Sequence, residues 1–290
     1  MKKVIFSFSL CLCVGFATVA QSVEEDYNAA YANKRGVYLL PQAGDFALGI
    51  DATPLLRYVG NIFTSGNNFA PQFNGVDQTI YGKYFIKDNR ALRARLTFNM
   101  LNTTDKGVVP DDEAIADDPD SDATLVDKLN TSSTYVELGI GYEFRRGNGR
   151  VQGFCGFEAV FGFNSGEKIK YDYANPLTDL NRTPSIYDFD NNSIVTNSIR
   201  TTEIKQGNQL SAGLGLFVGV EYFFAPQMSI GGEFGLGFRF GTIGQGQLIR
   251  ENWDILEDEV FTETTKDTWS AQSLEVFSRT SGRIFLMFHF

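Results

Sequence analysis

From position 208 onward, apolar residues and small or polar ones change places at every step. Leu210, Ala212, Leu214, Leu216, Val218, Val220, Tyr222 and Phe224 alternate with Ser211, Gly213, Gly215, Phe217, Gly219, Glu221 and Phe223. After Ala225-Pro226-Gln227 the alternation resumes: Met228, Ile230, Gly232, Phe234, Leu236, Phe238 and Phe240 stand against Ser229, Gly231, Glu233, Gly235, Gly237, Arg239 and Gly241. Successive side chains of a strand point to opposite faces, so a period of two held this long predicts two long strands joined by a tight turn. The same pattern predicts a hairpin of residues 78–87 and 90–101 and another of 133–145 and 150–163. A first strand covers 45–60 and a last one about 278–290, which brings the count to eight. Long polar segments, 61–77, 102–132, 164–207 and 243–271, separate the hairpins, so long and short connections alternate strictly. Weaker alternation at 167–174 and 194–207 either lengthens the neighbouring strands or adds a hairpin, which would make ten.

The two faces differ in charge. One carries Phe46, Leu48, Ile50, Ile80, Tyr84, Ile86, Leu92, Leu96, Phe98, Val136, Leu138, Ile140, Phe157, Phe161, the two long rows, and Ile284, Leu286, Phe288 and Phe290, with no charge among them. The other carries six acids, Asp51, Glu137, Glu143, Glu158, Glu221 and Glu233, and six bases, Arg57, Lys83, Arg93, Arg95, Arg239 and Arg283. A charge at the bilayer midplane costs roughly 2–4 kcal/mol on a lipid face, whereas the lumen of an eight-stranded barrel is filled by side chains whose charges must pair. The expected fold is therefore all-β: a closed antiparallel transmembrane barrel with short periplasmic turns and long extracellular loops. Within it, Arg93 or Arg95 is expected to lie between Glu221 and Glu233. Rings at the strand ends beside the short turns, Tyr84, Tyr142, Phe144, Tyr222, Phe224, Phe288 and Phe290, predict a girdle at one interface.

Composition sharpens this picture. The 290 residues include 29 Gly, 26 Phe and 12 Tyr with only 21% charged, which excludes disorder. Beyond the first twenty positions no run of 18 apolar residues occurs, so helical membrane spans are not expected. Met1 to Ala20 has the basic start, apolar stretch and small-residue end of a secretory signal peptide. It contains Cys11 and Cys13, without the small residue of a lipoprotein box before either, and leaves Cys155 as the one cysteine of the exported chain. Export implies a division into signal peptide (1–20), a periplasmic N-terminal segment (21–44) serving as plug or arm, and an outer-membrane barrel (45–290).

With its signal, its eight alternating strands and its closing segment Arg283-Ile284-Phe285-Leu286-Met287-Phe288-His289-Phe290, the chain resembles the OmpA/OmpX-like family of small outer-membrane barrels. The resemblance implies a place in the outer membrane of a Gram-negative bacterium with both termini in the periplasm. It also implies Phe288 and Phe290 as the signal for the barrel-assembly machinery, and lipid and lipopolysaccharide as surroundings. The long loops and residues 21–44 depart from the smallest members.

Candidate chemistry is sparse. Enzymatic barrels of such families generally pair a His with Ser, Asp or Glu, and this chain has one histidine, His289, expected at the periplasmic end facing inward. A non-enzymatic role without cofactor is expected, structural or in surface interaction, with a narrow pore as the chief alternative and a lipid-modifying enzyme behind it. Asp118, Asp120 and Asp122 have the first spacings of a calcium loop, but Ala123 and Leu129 stand where Gly and Glu are needed. Asp188, Asp190 and Asn192 fail at the same places. Residues 102–132 hold nine acids and two bases, and 243–271 seven and two, together the whole −12 of the exported chain. Such loops suit divalent cations or a surface protein, with Trp253 and Trp269 in the second, and they disfavour nucleic acid.

Overall fold

A computed structural model describes residues 38–53, 77–147 and 149–290. In chain order its elements are β1 (Phe46–Asp51), β2 (Gln78–Lys87), β3 (Arg90–Pro110), α1 (Asp112–Asp117), β4 (Thr124–Arg146), β5 (Val151–Asn164), β6 (Lys168–Asp172) and β7 (Ser185–Asp188). There follow β8 (Ser193–Thr196), β9 (Ile199–Lys205), β10 (Gln209–Ala225), β11 (Met228–Ile243), β12 (Gln247–Asp254), β13 (Glu259–Lys266) and β14 (Ala271–His289). Among the described residues the architecture is all-β, and every strand pairing is antiparallel.

The pairings β1–β2, β2–β3, β3–β4, β4–β5, β5–β10, β10–β11, β11–β14 and β14–β1 form a ring that returns to its starting strand. Where the alternation holds, the ring strands turn one set of side chains inward and the other outward. In β10, Phe217, Glu221 and Phe223 are buried while Leu214, Leu216, Val218 and Val220 are exposed. The outward rows of β1, β2, β5, β10 and β11 form a broad apolar band in which Phe46, Leu210 and Phe238 are 59%, 60% and 49% exposed. Inside, Ala47, Tyr81, Phe85, Phe154, Phe217, Phe285 and Met287 make an apolar core near the short-turn end.

Several lumen glycines are dictated by those rings. A side-chain carbon on Gly219 would collide with the Phe154 ring, one on Gly231 with Phe285, and one on Gly156 with Phe217. Bare backbone on one strand thus accommodates a ring from its neighbour, which is how a narrow cylinder can be filled with aromatics. The short turns are equally specific: Gly149 lies at φ +77° between β4 and β5, a conformation that disfavours side chains.

The segments expected to be loops differ from expectation. β3 and β4 run on together as far as Pro110 and Thr124, and the β12–β13 hairpin occupies most of 243–271. β6 and β9, the two weakly alternating stretches, pair with each other and with β4 and β12, outside the ring. Beyond the apolar band both faces of a strand meet water, so the period-two signal fades although the backbone pairing continues. β1 ends at Asp51 rather than at 60, Ala52 and Thr53 lie outside the strand, and the remainder of that expected strand lies outside the described residues. The signal peptide and Arg57 also lie outside them. Of the expected N-terminal segment, Leu39 is buried, and Ala43 and Gly44 donate N–H bonds to Asp88 Oδ1 and Phe85 O at the β2–β3 turn.

Candidate functional site: a charged lumen beneath an ordered loop platform

Inward positions of β2, β3, β4, β5, β10 and β11 bring nine of the twelve lumen candidates together in two tiers. Nearer the short turns, Lys83 Nζ lies 3.1 Å from Glu143 and 3.2 Å from Glu221. Arg145 Nη1 lies 3.1 Å from Glu143 and 2.9 Å from Glu221, and Arg93 reaches Glu233 at 2.9 Å and Glu143 at 3.8 Å. Farther from the turns, Arg95 reaches Glu137 at 2.7 Å and Glu158 at 3.2 Å, and Arg239 also pairs with Glu137. Each tier balances its charges, three against three and then two against two. Neutrality within a tier matters because an excess charge here has no bulk water to solvate it.

Rings pack between these ions. The Arg93 guanidinium lies 4.0 Å from the Phe217 centroid, Lys83 Nζ 4.8 Å from that of Phe154, and Arg145 5.2 Å from that of Phe85. The aromatic faces both fill space and favour the cations they cover.

The pairing differs from the expected one in two respects. Glu221 stands opposite Gly231, and Glu233 opposite Gly219, so the two acids are offset across their hairpin. Arg93 serves Glu233, while Glu221 is held by Lys83 and Arg145; Arg95 belongs to the other tier. Of the remaining candidates, Asp51 Oδ1 accepts the Thr53 N–H at 2.8 Å, and Arg283 stands opposite Glu233 in the β11–β14 register. Phe288 and Phe290 are exposed at the end of β14. Arg145 is a lumen ion that sequence reasoning missed because it sits at the entrance to a turn, yet it lies two residues beyond Glu143 and so shares its face.

His289 is buried at the short-turn end. Its Nε2 lies 3.0 Å from Ser229 Oγ and 3.4 Å from Glu221 Oε1, and Ser229 Oγ–H donates to that same carboxylate. Both partners share Nε2, and Nδ1 has no hydrogen-bond partner among the described residues. A nucleophile–base–orienter relay needs the carboxylate on the nitrogen opposite the hydroxyl, so the cluster lacks that geometry.

At the long-loop end the chain is ordered by a few buried polar side chains. Asp127 is fully buried, and its two oxygens accept the N–H groups of Ala174 at 2.7 Å and Tyr187 at 2.9 Å. Asn175 Nδ2 donates to Pro110 O and Ser185 O, and its Oδ1 accepts from Asp112 N. Arg200 Nε reaches Glu251 at 2.6 Å, its Nη1 reaches Asn175 O at 2.7 Å, and its guanidinium covers the Tyr173 ring. Burial and the neighbouring Tyr171 push the Tyr173 hydroxyl above the usual phenol range. The aspartates with calcium-loop spacing cap their own turns: Asp118 accepts Asp120 N–H, and Asp188 accepts from Asp190 and Asn191. Hydrogen bonds from the Asn191 side chain and backbone hold the Asp188 carboxyl below its ordinary range. The acidic β12–β13 hairpin ends this platform. All eight residues of β13 are exposed, while β12, flanked on both sides, is mostly half-buried, so among the described residues β13 is the sheet's edge.

No family model matches the chain, and no curated protein does. Among solved structures it is similar to the outer membrane protein OprG of Pseudomonas aeruginosa, at 11% identity and a TM-score of 0.32 over 87% of this chain and 98% of that one. It is also similar to a major outer membrane protein of Thermus thermophilus, at 13% identity and a TM-score of 0.34 over 85% of this chain and 98% of that one.

Proposed function

We propose that the chain is an integral outer-membrane β-barrel of eight strands, an OmpA/OmpX-like small barrel of a Gram-negative bacterium, with a structural or surface-interaction role and no catalytic one. The observation that carries this is the division of the ring's faces. Leu, Phe, Ile and Val side chains stand exposed around the outside, while carboxylates and cations stand paired within. In water the arrangement would be inverted, since a contiguous apolar patch beyond a few hundred Å² marks an interaction or membrane surface. Strands of 10, 14, 17 and 16 residues in β2, β5, β10 and β11 reach the length that a tilted bilayer strand needs. Short turns and termini then face the periplasm, and the loop platform faces outward.

The surface role rests on β13, the sheet's edge among the described residues, beside Asp254, Glu257, Asp258 and Glu263, which suits an extended segment of opposite charge. The filled lumen argues against a pore, and the geometry at His289 argues against hydrolysis. Extraction of the expressed chain tests the membrane assignment: it should leave the envelope only with detergent, and the folded form should migrate differently from the boiled form on a denaturing gel. Release by salt or alkali alone would defeat it. Planar-bilayer recording should show no stable openings, and lipid A and phospholipids should remain uncleaved.

A further inference from the structure

The apolar band is notched near its periplasmic edge. On β5, two successive outward positions beside the short turn are small, Gly153 and Cys155. The register sets Gly153 between Arg146 and Val220, and Cys155 between Phe144 and Val218. A glycine and a cysteine flanked by four larger side chains leave a groove of about 290 Å³ along β5. Outward-facing Phe157 is the next outward residue on the strand.

Arg90 and Arg146 stand at the rim of this groove, on the outward face and at the short-turn end. Lys83, Arg93, Arg95 and Arg145 point inward to carboxylates, but neither of these two is in an ion pair among the described residues. Two uncompensated guanidiniums above an apolar slot complement an amphiphile with an anionic head, and guanidinium favours phosphate through bidentate hydrogen bonds. The groove lies in the acyl region of the wall, so a soluble anion would leave its floor unfilled.

We propose that this groove is a binding site for one anionic glycerophospholipid of the inner leaflet, its phosphate on Arg90 and Arg146 and the upper part of an acyl chain over Gly153 and Cys155. The site rests on the barrel assignment of the preceding section. A side-chain carbon on Gly153 would meet only the Arg146 carbonyl oxygen, at 3.4 Å, so Gly153→Phe can fill the groove without touching the lumen.

The test is native mass spectrometry of the full folded chain released from detergent, titrated with phosphatidylglycerol, phosphatidylcholine or inorganic phosphate. The wild type should retain one phosphatidylglycerol in preference to phosphatidylcholine, and inorganic phosphate should not displace it. Arg90→Gln/Arg146→Gln should lower phosphatidylglycerol retention about tenfold or more, to the phosphatidylcholine level, as expected for lost charge-assisted hydrogen bonds. Gly153→Phe should lower retention of both lipids. Equal retention by the wild type and Gly153→Phe, or displacement by phosphate, overturns the site. The heat-dependent gel shift of the same samples keeps the outcomes apart: a folded barrel that binds no lipid defeats the site alone, whereas a chain soluble without detergent defeats the barrel.

Discussion

Replacing Glu221 by Gln changes no volume to speak of and removes one charge from the tier nearest the short turns. Glu221 accepts Lys83 at 3.2 Å and Arg145 at 2.9 Å, and the tier holds three cations and three carboxylates. The variant therefore leaves one surplus positive charge among the buried rings of Phe85, Phe154 and Phe223. Removing one partner of a buried pair costs about 3–5 kcal/mol, so Glu221→Gln should lose about that much folding free energy. Lys83→Met leaves the opposite surplus and should cost a similar amount. The double variant is neutral again, with Arg145 still 3.1 Å from Glu143, and should recover about 2–3 kcal/mol of the summed losses. Urea titration of the full chain in lipid vesicles, followed by the mobility of unheated samples on gels, measures all three. Additivity of the two single losses within about 0.5 kcal/mol would refute charge balance as the organising rule of the lumen.

Other substitutions probe the remaining layers. Leu214→Arg places a charge in the outward band and should cost roughly 2–4 kcal/mol in the same titration, whereas Leu214→Phe should be nearly neutral. Gly219→Leu sets a side chain against the Phe154 ring, and overpacking of this kind costs about 1–3 kcal/mol or prevents folding, seen as loss of the heat-dependent mobility shift. Asp127→Ala leaves the N–H groups of Ala174 and Tyr187 buried without acceptors. It should speed proteolysis of residues 173–198 in intact cells severalfold while leaving the barrel's urea midpoint unchanged, because β7 and β8 lie outside the ring.

The ring strands were legible in the sequence because two dissimilar environments, an apolar exterior and a charged lumen, fall on alternate residues. Leu210 to Phe224 could hardly alternate so cleanly for another reason. Where β3 and β4 rise above the band, Asn102 to Lys106 are exposed or half-buried on both faces, and the pattern vanishes while the hydrogen-bond ladder persists. The inward direction of Lys83, Arg93, Glu143 and Glu221 followed from parity. Their grouping into two tiers did not, since partners such as Lys83 and Glu221 are 138 residues apart and meet only through the stagger of the strands. The loop platform was less legible still. Asp127, Asn175 and Arg200 are ordinary polar residues in polar stretches, and nothing local marks them as buried. The groove on β5 left a faint trace, two small outward residues in succession, Gly153 and Cys155.

The most direct test places spin labels at Leu214→Cys and Phe238→Cys in a Cys155→Ala background, with the chain reconstituted in lipid bilayers, and compares collision with dissolved oxygen and with a water-soluble nickel chelate. Both labels should meet oxygen freely and the chelate scarcely at all. Strong relaxation by the chelate at either position would show water where acyl chains are required, and would contradict the barrel.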